Sequence, residues 1–228
     1  MKRDIGAAFA VIFELAALGF AGVALADAKF ERLAVRVEQN VTDNDFEVVF
    51  EATSGDTAFA ALKVAAPDGR VVIDFKSPNT KQGMRTFRFE SPEPKTLAGL
   101  QADYPAGKYT FTAGTVTGLT FSETATLSHK LPPAAAILRP RPKEHNVPVN
   151  GLRIEWRGPK GLATSLVTIE NDDSGVKVIQ GALSGAATMF RVPHGVLAPG
   201  TKYKVAIGNV TPDGNASFVE TTFTTAAK

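Results

Sequence analysis

The residue types that most often perform catalysis or bind metals are few in this sequence, and they are scattered. The three histidines, His129, His145 and His194, lie far apart, and no His-x-His or His-Glu-x-x-His motif is present. The chain has no cysteine, which excludes thiol catalysis, disulfides and thiolate zinc sites. A Gly-x-Ser-x-Gly nucleophile motif and a Walker-type phosphate loop are also absent. Because catalysis needs converging groups, we predict a non-enzymatic protein without a cofactor or a metal site.

Two short acidic segments carry the oxygen ligands that calcium prefers, at residues 43–45 and 171–175. Neither segment has the alternating spacing or the distal glutamate of an EF-hand loop. Asn, Asp and Gly also accept the left-handed dihedral angles of hairpin turns. The sequence therefore favours two turns over two calcium sites.

Exposed aromatic residues would indicate a carbohydrate-binding surface. Trp156, Tyr109 and Tyr203 alternate with polar residues, so we expect them to point inward and fill cores. Tyr104 precedes a proline and is expected in a loop. A glycan partner is thus an alternative with little support from the aromatic residues.

Three basic residues, Arg139, Arg141 and Lys143, alternate along a proline-rich segment. On an extended strand they would project from one side, where they could meet an acidic envelope polymer or an anionic lipid surface. Charges and prolines on an edge strand also prevent pairing with other sheets, and we favour that interpretation. The formal net charge of +2 is too small to indicate a nucleic-acid partner.

The elements that must position these residues are short strands. Apolar and polar residues alternate with period two over residues 33–37, 46–50, 71–75 and 87–89. Turn-forming sequences such as Pro-Asp-Gly at 67–69 lie between them. Since almost no helical spacing appears after the first 27 residues, the pattern predicts an all-β chain.

The first residues have the pattern of an export signal. Two basic residues precede an apolar stretch over residues 5–26, which Glu14 interrupts and an Ala-Leu-Ala sequence ends. The stretch is long enough to cross a bilayer, but a carboxylate near its middle costs about 2.5–3.5 kcal/mol on insertion scales. We predict a cleaved signal helix over residues 1–26 and a periplasmic or secreted protein. Contact with the membrane is expected only through this segment, if it is not cleaved.

One internal repeat sets the number of domains. Residues 105–117 align with residues 199–211, and proline, tyrosine, glycine, valine and threonine coincide at an offset of 94 residues. That offset is the size of one immunoglobulin-like sandwich. We predict two tandem antiparallel β-sandwiches over residues 27–130 and 137–228, joined by a proline-rich linker at 131–136 that holds them apart. Part of the proline-rich segment is also compatible with an edge strand of the second sandwich.

The second half carries three motifs of a known family. Trp156 stands on the inward face of an early strand, Leu-Ala-Pro-Gly-Thr-Lys-Tyr over 197–203 enters a late strand, and Phe-Thr-Thr over 223–225 closes the domain. This combination resembles a fibronectin type III domain, and the resemblance implies a fold rather than a chemistry. The first half is similar to the same immunoglobulin-like superfamily but has no tryptophan.

The predicted function is protein binding or a structural role at the cell envelope or outside the cell. Sandwich loops cluster at the two ends of the fold and often carry binding residues, so the loops at 158–163, 171–175 and 212–215 are candidate binding loops. The candidate binding residues in these loops are Lys160, Asp172, Asp173, Asp213 and Asn215. Two alternatives are a carbohydrate-binding accessory module, which requires exposed aromatic residues, and an enzyme with a site between the domains. The second alternative requires a cleft with converging titratable groups.

Overall fold

The computed structural model describes residues 29–79 and 81–228. The predicted signal segment at residues 1–26 lies outside the described residues. The described chain forms fifteen β-strands and one short α-helix, so the all-β prediction is confirmed. Within residues 29–79 and 81–228, no helix has the length and apolar character needed to span a membrane.

The first sandwich packs three strands in the order β1-β2-β5 against four strands in the order β4-β3-β6-β7. Its elements are β1 (Phe30–Asn40), β2 (Asp45–Ser54), β3 (Phe59–Ala65), β4 (Val71–Lys76), β5 (Thr86–Glu90), α1 (Leu97–Asp103), β6 (Gly107–Thr115) and β7 (Thr120–Leu127). The helix lies between β5 and β6, where the chain passes from one sheet to the other. Its N-cap residue, Thr96, accepts a hydrogen bond from the Gly99 N–H, and Leu100 anchors it in the core.

Period-two alternation builds the core of the first sandwich. Val35 and Val37 of β1 are buried, whereas the residues between and after them face the outer side of the sheet. Aromatic rings fill the space between the sheets: the ring centre of Phe50 lies 5.7 Å from that of Tyr109 and 6.4 Å from that of Phe111. Each fully buried side chain of this size contributes about 1.5–3 kcal/mol to stability.

Two residues that the alternation predicts to be inward are exposed. Val71 on β4 is 48% exposed and Phe89 on β5 is 37% exposed. Both strands are the last strands of their sheets. A strand at the rim of a sandwich is covered less completely than a central strand, so alternation overestimates burial there.

The second sandwich repeats the arrangement of three strands against four. Its sheets have the orders β13-β10-β8 and β12-β11-β14-β15, and β9 also pairs with β15. The strands are β8 (Ala136–Arg139), β9 (Glu144–Val147), β10 (Arg153–Arg157), β11 (Thr164–Asn171), β12 (Lys177–Ser184), β13 (Met189–Arg191), β14 (Lys202–Val210) and β15 (Ala216–Thr225).

The core of the second sandwich is mainly aliphatic and surrounds one tryptophan. Trp156 of β10 is 1% exposed, and the rings of Tyr203 and Phe223 stack with their centres 5.7 Å apart. The buried residues of the two sandwiches form separate clusters with no shared member. The prediction of two tandem sandwiches is therefore confirmed.

The internal repeat corresponds to equivalent strands, β6 in the first sandwich and β14 in the second. Each strand carries a buried tyrosine whose hydroxyl is bonded to the preceding turn. The Tyr109 hydroxyl donates to the Pro105 carbonyl at 3.0 Å, whereas the Tyr203 hydroxyl accepts from the Ala198 N–H at 2.9 Å. Burial raises the pKa of Tyr109 to about 12, which keeps its hydroxyl protonated as this bond requires.

The proline-rich segment does not hold the two sandwiches apart, so that prediction is wrong. Leu131 packs on the first core, Ala135 belongs to the second core, and β8 begins at Ala136 as an edge strand of the second sandwich. The sandwiches are joined directly, because β1 of the first pairs in parallel with β15 of the second. Over residues 38–40 and 216–218, both strands would otherwise leave backbone groups unpaired at a sheet edge, and their pairing satisfies those groups.

Candidate functional site

The pairing of β1 with β15 creates one composite sheet with the strand order β12-β11-β14-β15-β1-β2-β5. The paired positions are Glu38 with Ala216, Gln39 with Ser217 and Asn40 with Phe218. The ladder continues where the Val41 N–H donates to the Phe218 carbonyl at 2.9 Å. Paired residues point to the same side of a sheet, so the outer faces of the two sandwiches become one continuous surface.

Asn215 fixes this junction from the loop between β14 and β15. Its Oδ1 accepts from the Val37 N–H at 2.8 Å, and its Nδ2 donates to the carbonyls of Ser128 at 3.1 Å and Lys130 at 3.2 Å. The side chain is 1% exposed and thus belongs to the domain interface rather than to a free loop. A buried amide without hydrogen-bond partners is costly, and all the partners of this one lie in the first sandwich. Asn215 therefore couples the second sandwich to the first.

Asp213 belongs to the same junction. Its carboxylate accepts hydrogen bonds from the Ser128 hydroxyl at 2.5 Å and from the Thr211 hydroxyl. Burial alone would raise the pKa of Asp213, but these two hydrogen bonds lower it. The structure therefore brings Asp213 and Asn215 together, and both act between the domains.

The outer face of the composite sheet forms a groove of about 560 Å³ across the junction. We call it the junction groove. Both sandwiches line it, with Arg36, Glu38, Glu51, Arg88 and Glu90 from the first and Leu166, Thr168, Lys177, Gln180, Gly181, Ala182 and Phe218 from the second. Its volume lies within the range of ordinary ligand and peptide sites.

Phe218 lies at the centre of this surface because its neighbour has no side chain. A Cβ atom at Gly208, the residue opposite it on β14, would come within 2.4 Å of the Phe218 ring. The glycine thus allows the ring to lie flat on the sheet, and any larger residue at 208 would displace it.

A network of ion pairs covers the first-sandwich side of the groove. Arg36 binds Glu38 at 2.8 Å and Glu51 at 3.0 Å, and Arg88 binds Glu51 at 2.9 Å and Glu90 at 2.6 Å. Burial opposes the charge on Glu51, but hydrogen bonds from Arg36 and Arg88 prevail and lower its pKa to about 2. Glu51 therefore stays ionised under all ordinary conditions.

At one end of the groove the charges are not balanced. Six carboxylates line a pocket of about 300 Å³ there, and we call this region the acidic end. The six residues are Glu38, Asp43, Asp45, Glu47, Glu93 and Glu220. Glu38 and Glu47 are directly opposite each other on β1 and β2. Burial, together with the charges of Glu38 and Glu90, raises the pKa of Glu47 to about 7. Burial also raises the pKa of Glu220.

This arrangement is suited to recognition by charge and shape. The acids and bases in the centre of the groove neutralise one another, which fixes their side chains on the sheet surface. In the part of the chain that the structure describes, no group of three or more His, Asp or Glu residues is placed to hold a metal ion. Leu166 and Phe218 add apolar area between the charges, as in a protein-binding surface.

The remaining predicted loop residues lie at opposite ends of β11. Lys160 precedes the strand and lines a second cavity of about 470 Å³ with Ser165 and Thr188. Asp172 follows the strand and binds Lys202 at 2.6 Å, and Asp173 is exposed beside it. The structure therefore does not bring Lys160 together with the two aspartates.

Both acidic segments form turns, as the sequence favoured. Asn171 Oδ1 accepts from the backbone N–H groups of Asp173 at 3.1 Å and Ser174 at 2.9 Å. In the other segment, Asn40 Oδ1 accepts from the Thr42 N–H at 3.0 Å, and Asn44 adopts a positive φ of 52°. These bonds account for the Asn and Asp residues in each turn.

Within residues 29–79 and 81–228, the three aromatic candidates do not form a sugar-binding platform. Trp156, Tyr109 and Tyr203 are 1%, 0% and 2% exposed, so the three candidates are all core residues. Tyr104 is half-buried, and its ring centre lies 6.0 Å from that of Phe50.

The residues of the ion-pair network could not be identified from the sequence. Arg36, Glu51 and Arg88 are polar positions between inward residues, and alternation alone predicts only that they face outward. Opposite charges at the outward positions of β1, β2 and β5 could have indicated a network, had it been known that these three strands are neighbours in one sheet.

Comparisons with known proteins bear on the fold. No protein-family model matches the chain, and no curated protein matches it. Among solved structures, a segment of two fibronectin type III domains from chicken tenascin is 13% identical, covers 87% of this chain and 98% of its own, and has a TM-score of 0.34. The fibronectin(III)-like modules of CbhA from Clostridium thermocellum are 11% identical, cover 87% of this chain and 94% of their own, and have a TM-score of 0.34.

A third similar structure, the FN1–FN3 domains of chicken CNTN1, is 8% identical, covers 86% of this chain and 64% of its own, and has a TM-score of 0.36. These scores are low over the full length of the chain, so the assignment of the fold depends on its own strand order. In each half, three strands pack on four around one core, and a tyrosine corner lies at the start of the second-last strand, β6 or β14. The chain has the fibronectin type III or immunoglobulin-like sandwich fold, twice in tandem.

Proposed function

We propose that this chain is an exported, non-enzymatic module that binds another protein of the cell envelope or extracellular space through the junction groove. The observation that carries the proposal is the parallel pairing of β1 with β15. Sandwiches joined only by a linker move relative to each other, and a surface shared between them would not persist. Here backbone hydrogen bonds and the buried Asn215 hold the two halves of the groove in register.

The composition of the groove supports a protein partner. Its ion-paired arginines and glutamates are already fixed in position, so binding a partner costs little conformational entropy of these side chains. Apolar side chains lie among the charges, and the exposed Lys177 and Gln180 at its rim can form hydrogen bonds with a second polypeptide.

Export is supported by the basic residues and apolar stretch that begin the sequence. Mass spectrometry of the mature amino terminus tests that part of the proposal.

Site-specific photo-crosslinking tests the binding surface. A benzoylphenylalanine replaces Gln180 in the groove, and in a matched control it replaces Thr124, an exposed residue on β7 of the first sandwich. We expect a discrete adduct with an envelope or extracellular protein from position 180 and none from position 124. Lys177→Glu, which reverses a charge at the rim without touching the ion-pair network, should reduce the adduct at least fivefold. Equal labelling from both positions would refute the proposal.

A further inference from the structure

The outer face of the second sandwich opposite the junction groove carries four arginines. Arg153 and Arg157 lie on β10, Arg139 lies on β8 and Arg191 lies on β13. All four are exposed. The acid among them, Glu155, is 4.0 Å from Arg139 at the limit of an ion pair. We call these four residues the arginine face.

Two of these arginines are placed against each other. Arg153 and Arg191 are directly paired across β10 and β13, where opposite side chains lie about 4.5–5.5 Å apart at Cβ. Within the described residues neither arginine, nor Arg157, forms an ion pair with a carboxylate. Like charges that face each other across strands destabilise a sheet, so the free monomer carries a cost that an anionic partner would remove.

The acidic end has the same feature with the opposite sign. Glu38 and Glu47 face each other across β1 and β2. Glu38 is compensated by Arg36 and Arg88, but Glu47 is not, and in the described chain Asp43 and Glu93 also have no ion-pair partner. One molecule therefore presents three uncompensated arginines on one side and three uncompensated carboxylates on the other, of which Glu47 is ionised above its pKa of about 7.

We propose that the arginine face of one copy of this chain binds the acidic end of a second copy. The arginine face lies on the sheet β13-β10-β8 of the second sandwich, whereas the acidic end lies on the composite sheet, mostly in its first-sandwich part. One molecule therefore cannot satisfy both surfaces by itself. The contact joins two different surfaces, and it leaves one surface of each kind free on the resulting dimer. Such heterologous contacts extend into rings or filaments.

Apolar residues beside the charges favour a second copy over an anionic polymer. Leu138 and Met189 flank the arginine face and are 40% and 45% exposed. At the acidic end, Val41 is 43% exposed and Phe218 lines the pocket. A polyanion gains little from apolar side chains, whereas two protein surfaces bury them against each other.

The test is the oligomeric state of the full chain by sedimentation velocity over a range of concentrations, at about 20 mM and about 500 mM salt and at a pH above the pKa of Glu47, which is about 7. Salt screens interactions between exposed charges, so we expect association at low salt and its loss at high salt. Arg153→Ala/Arg191→Ala should raise the dissociation constant at least tenfold. The control Lys76→Ala/Lys108→Ala removes the same charge from exposed positions on the first sandwich and should change it less than twofold.

Mixing two variants tests the direction of the contact. The variant Arg153→Ala/Arg191→Ala keeps only its acidic end, and the variant Glu47→Lys keeps only its arginine face. Each variant should be monomeric alone, whereas their equimolar mixture should form dimers and nothing larger. A monomeric wild-type chain at low salt would overturn the proposal. Association that the arginine variant retains, for example through residues 1–28, would also overturn it. Assembly that appears only when heparin is added would overturn it as well. None of these outcomes affects crosslinking from position 180, so the proposed function is tested separately.

Discussion

The two three-stranded sheets, β1-β2-β5 and β8-β10-β13, occupy equivalent positions in their sandwiches but carry different outer faces. On the first, arginines and glutamates alternate and neutralise one another around Glu51. On the second, arginines face each other, and the one glutamate among them reaches one of the four. The first sheet is joined to a neighbouring sandwich along β1, whereas the second is free at both edges. The same framework therefore tolerates either a balanced or an unbalanced set of charges on its outer face.

The cores give the largest expected effect and test whether the sandwiches unfold separately. Phe111→Ala should destabilise the first sandwich by about 3–5 kcal/mol, because it leaves a cavity in a close-packed core. Trp156 is the single tryptophan and reports on the second sandwich alone. In the Phe111→Ala variant, the urea midpoint of the Trp156 fluorescence should therefore shift less than the urea midpoint of the first unfolding transition seen by circular dichroism. Equal shifts would show that the two cores unfold as one unit.

Asn215→Ala tests the link between the sandwiches. The variant leaves the buried Val37 N–H without its acceptor, and we expect a loss of about 2–3 kcal/mol by urea denaturation. Hydrogen exchange of the Val37 amide should accelerate more than tenfold. Ser174→Ala in an exposed turn serves as the control and should cost less than about 0.5 kcal/mol. An unchanged Val37 amide would contradict the assigned hydrogen bond.

Glu51→Gln sharpens the comparison of the two outer faces. The variant leaves Arg36 and Arg88 partly uncompensated and should cost about 1–2 kcal/mol at pH 7. Its equivalent on the second sheet, Glu155→Gln, should cost less than about 0.5 kcal/mol, since its ion pair is long and exposed. The folded-state pKa of Glu51 is lowered to about 2. Its contribution is therefore complete above pH 4.5 and is lost as the pH falls towards 2, so wild type and variant should converge there.

The smallest expected effect has the opposite sign. The folded-state pKa of Glu47 is raised from 4.5 to about 7, so the native state holds a proton that the unfolded state releases between these values. Stability therefore falls as the pH rises from 4.5 to 7. Glu47→Gln should stabilise the chain by about 1 kcal/mol at pH 8, after allowance for solvent screening, and should have no effect at pH 4. Stabilisation that is equal at both pH values would rule out titration of Glu47 as its cause.

Local patterns were sufficient to predict many of the strands and the two cores, but they did not indicate the short helix α1 (Leu97–Asp103). Alternation around Val35 and Val37, the turn preferences of Asn and Gly, and the repeated tyrosine motif each act over a few residues, and each identified its element. Alternation wrongly predicted burial for rim residues such as Val71 and Phe89, because it does not indicate which strand lies at the edge of a sheet.

The candidate site was beyond local reasoning because it is made by distant segments. The pairing of Asn40 with Phe218 joins residues that are far apart in the sequence. The pattern of residues within either strand does not indicate which strand it pairs with. Asp213 and Asn215 were identified as loop residues of interest, yet their partners Ser128 and Val37 lie in the other sandwich. Proline content indicated a stiff linker, but it could not reveal that Leu131 and Ala135 are themselves packed into the cores.

The parallel bonding of the first and last strands also has a mechanical consequence. Tension applied between Phe30 and Thr225 pulls β1 towards its start and β15 towards its end, which are opposite directions along paired strands. The hydrogen bonds between them are then loaded in shear and share the force, instead of opening one at a time. A molecule stretched between two anchorages would thus resist extension at its own junction before either sandwich yields.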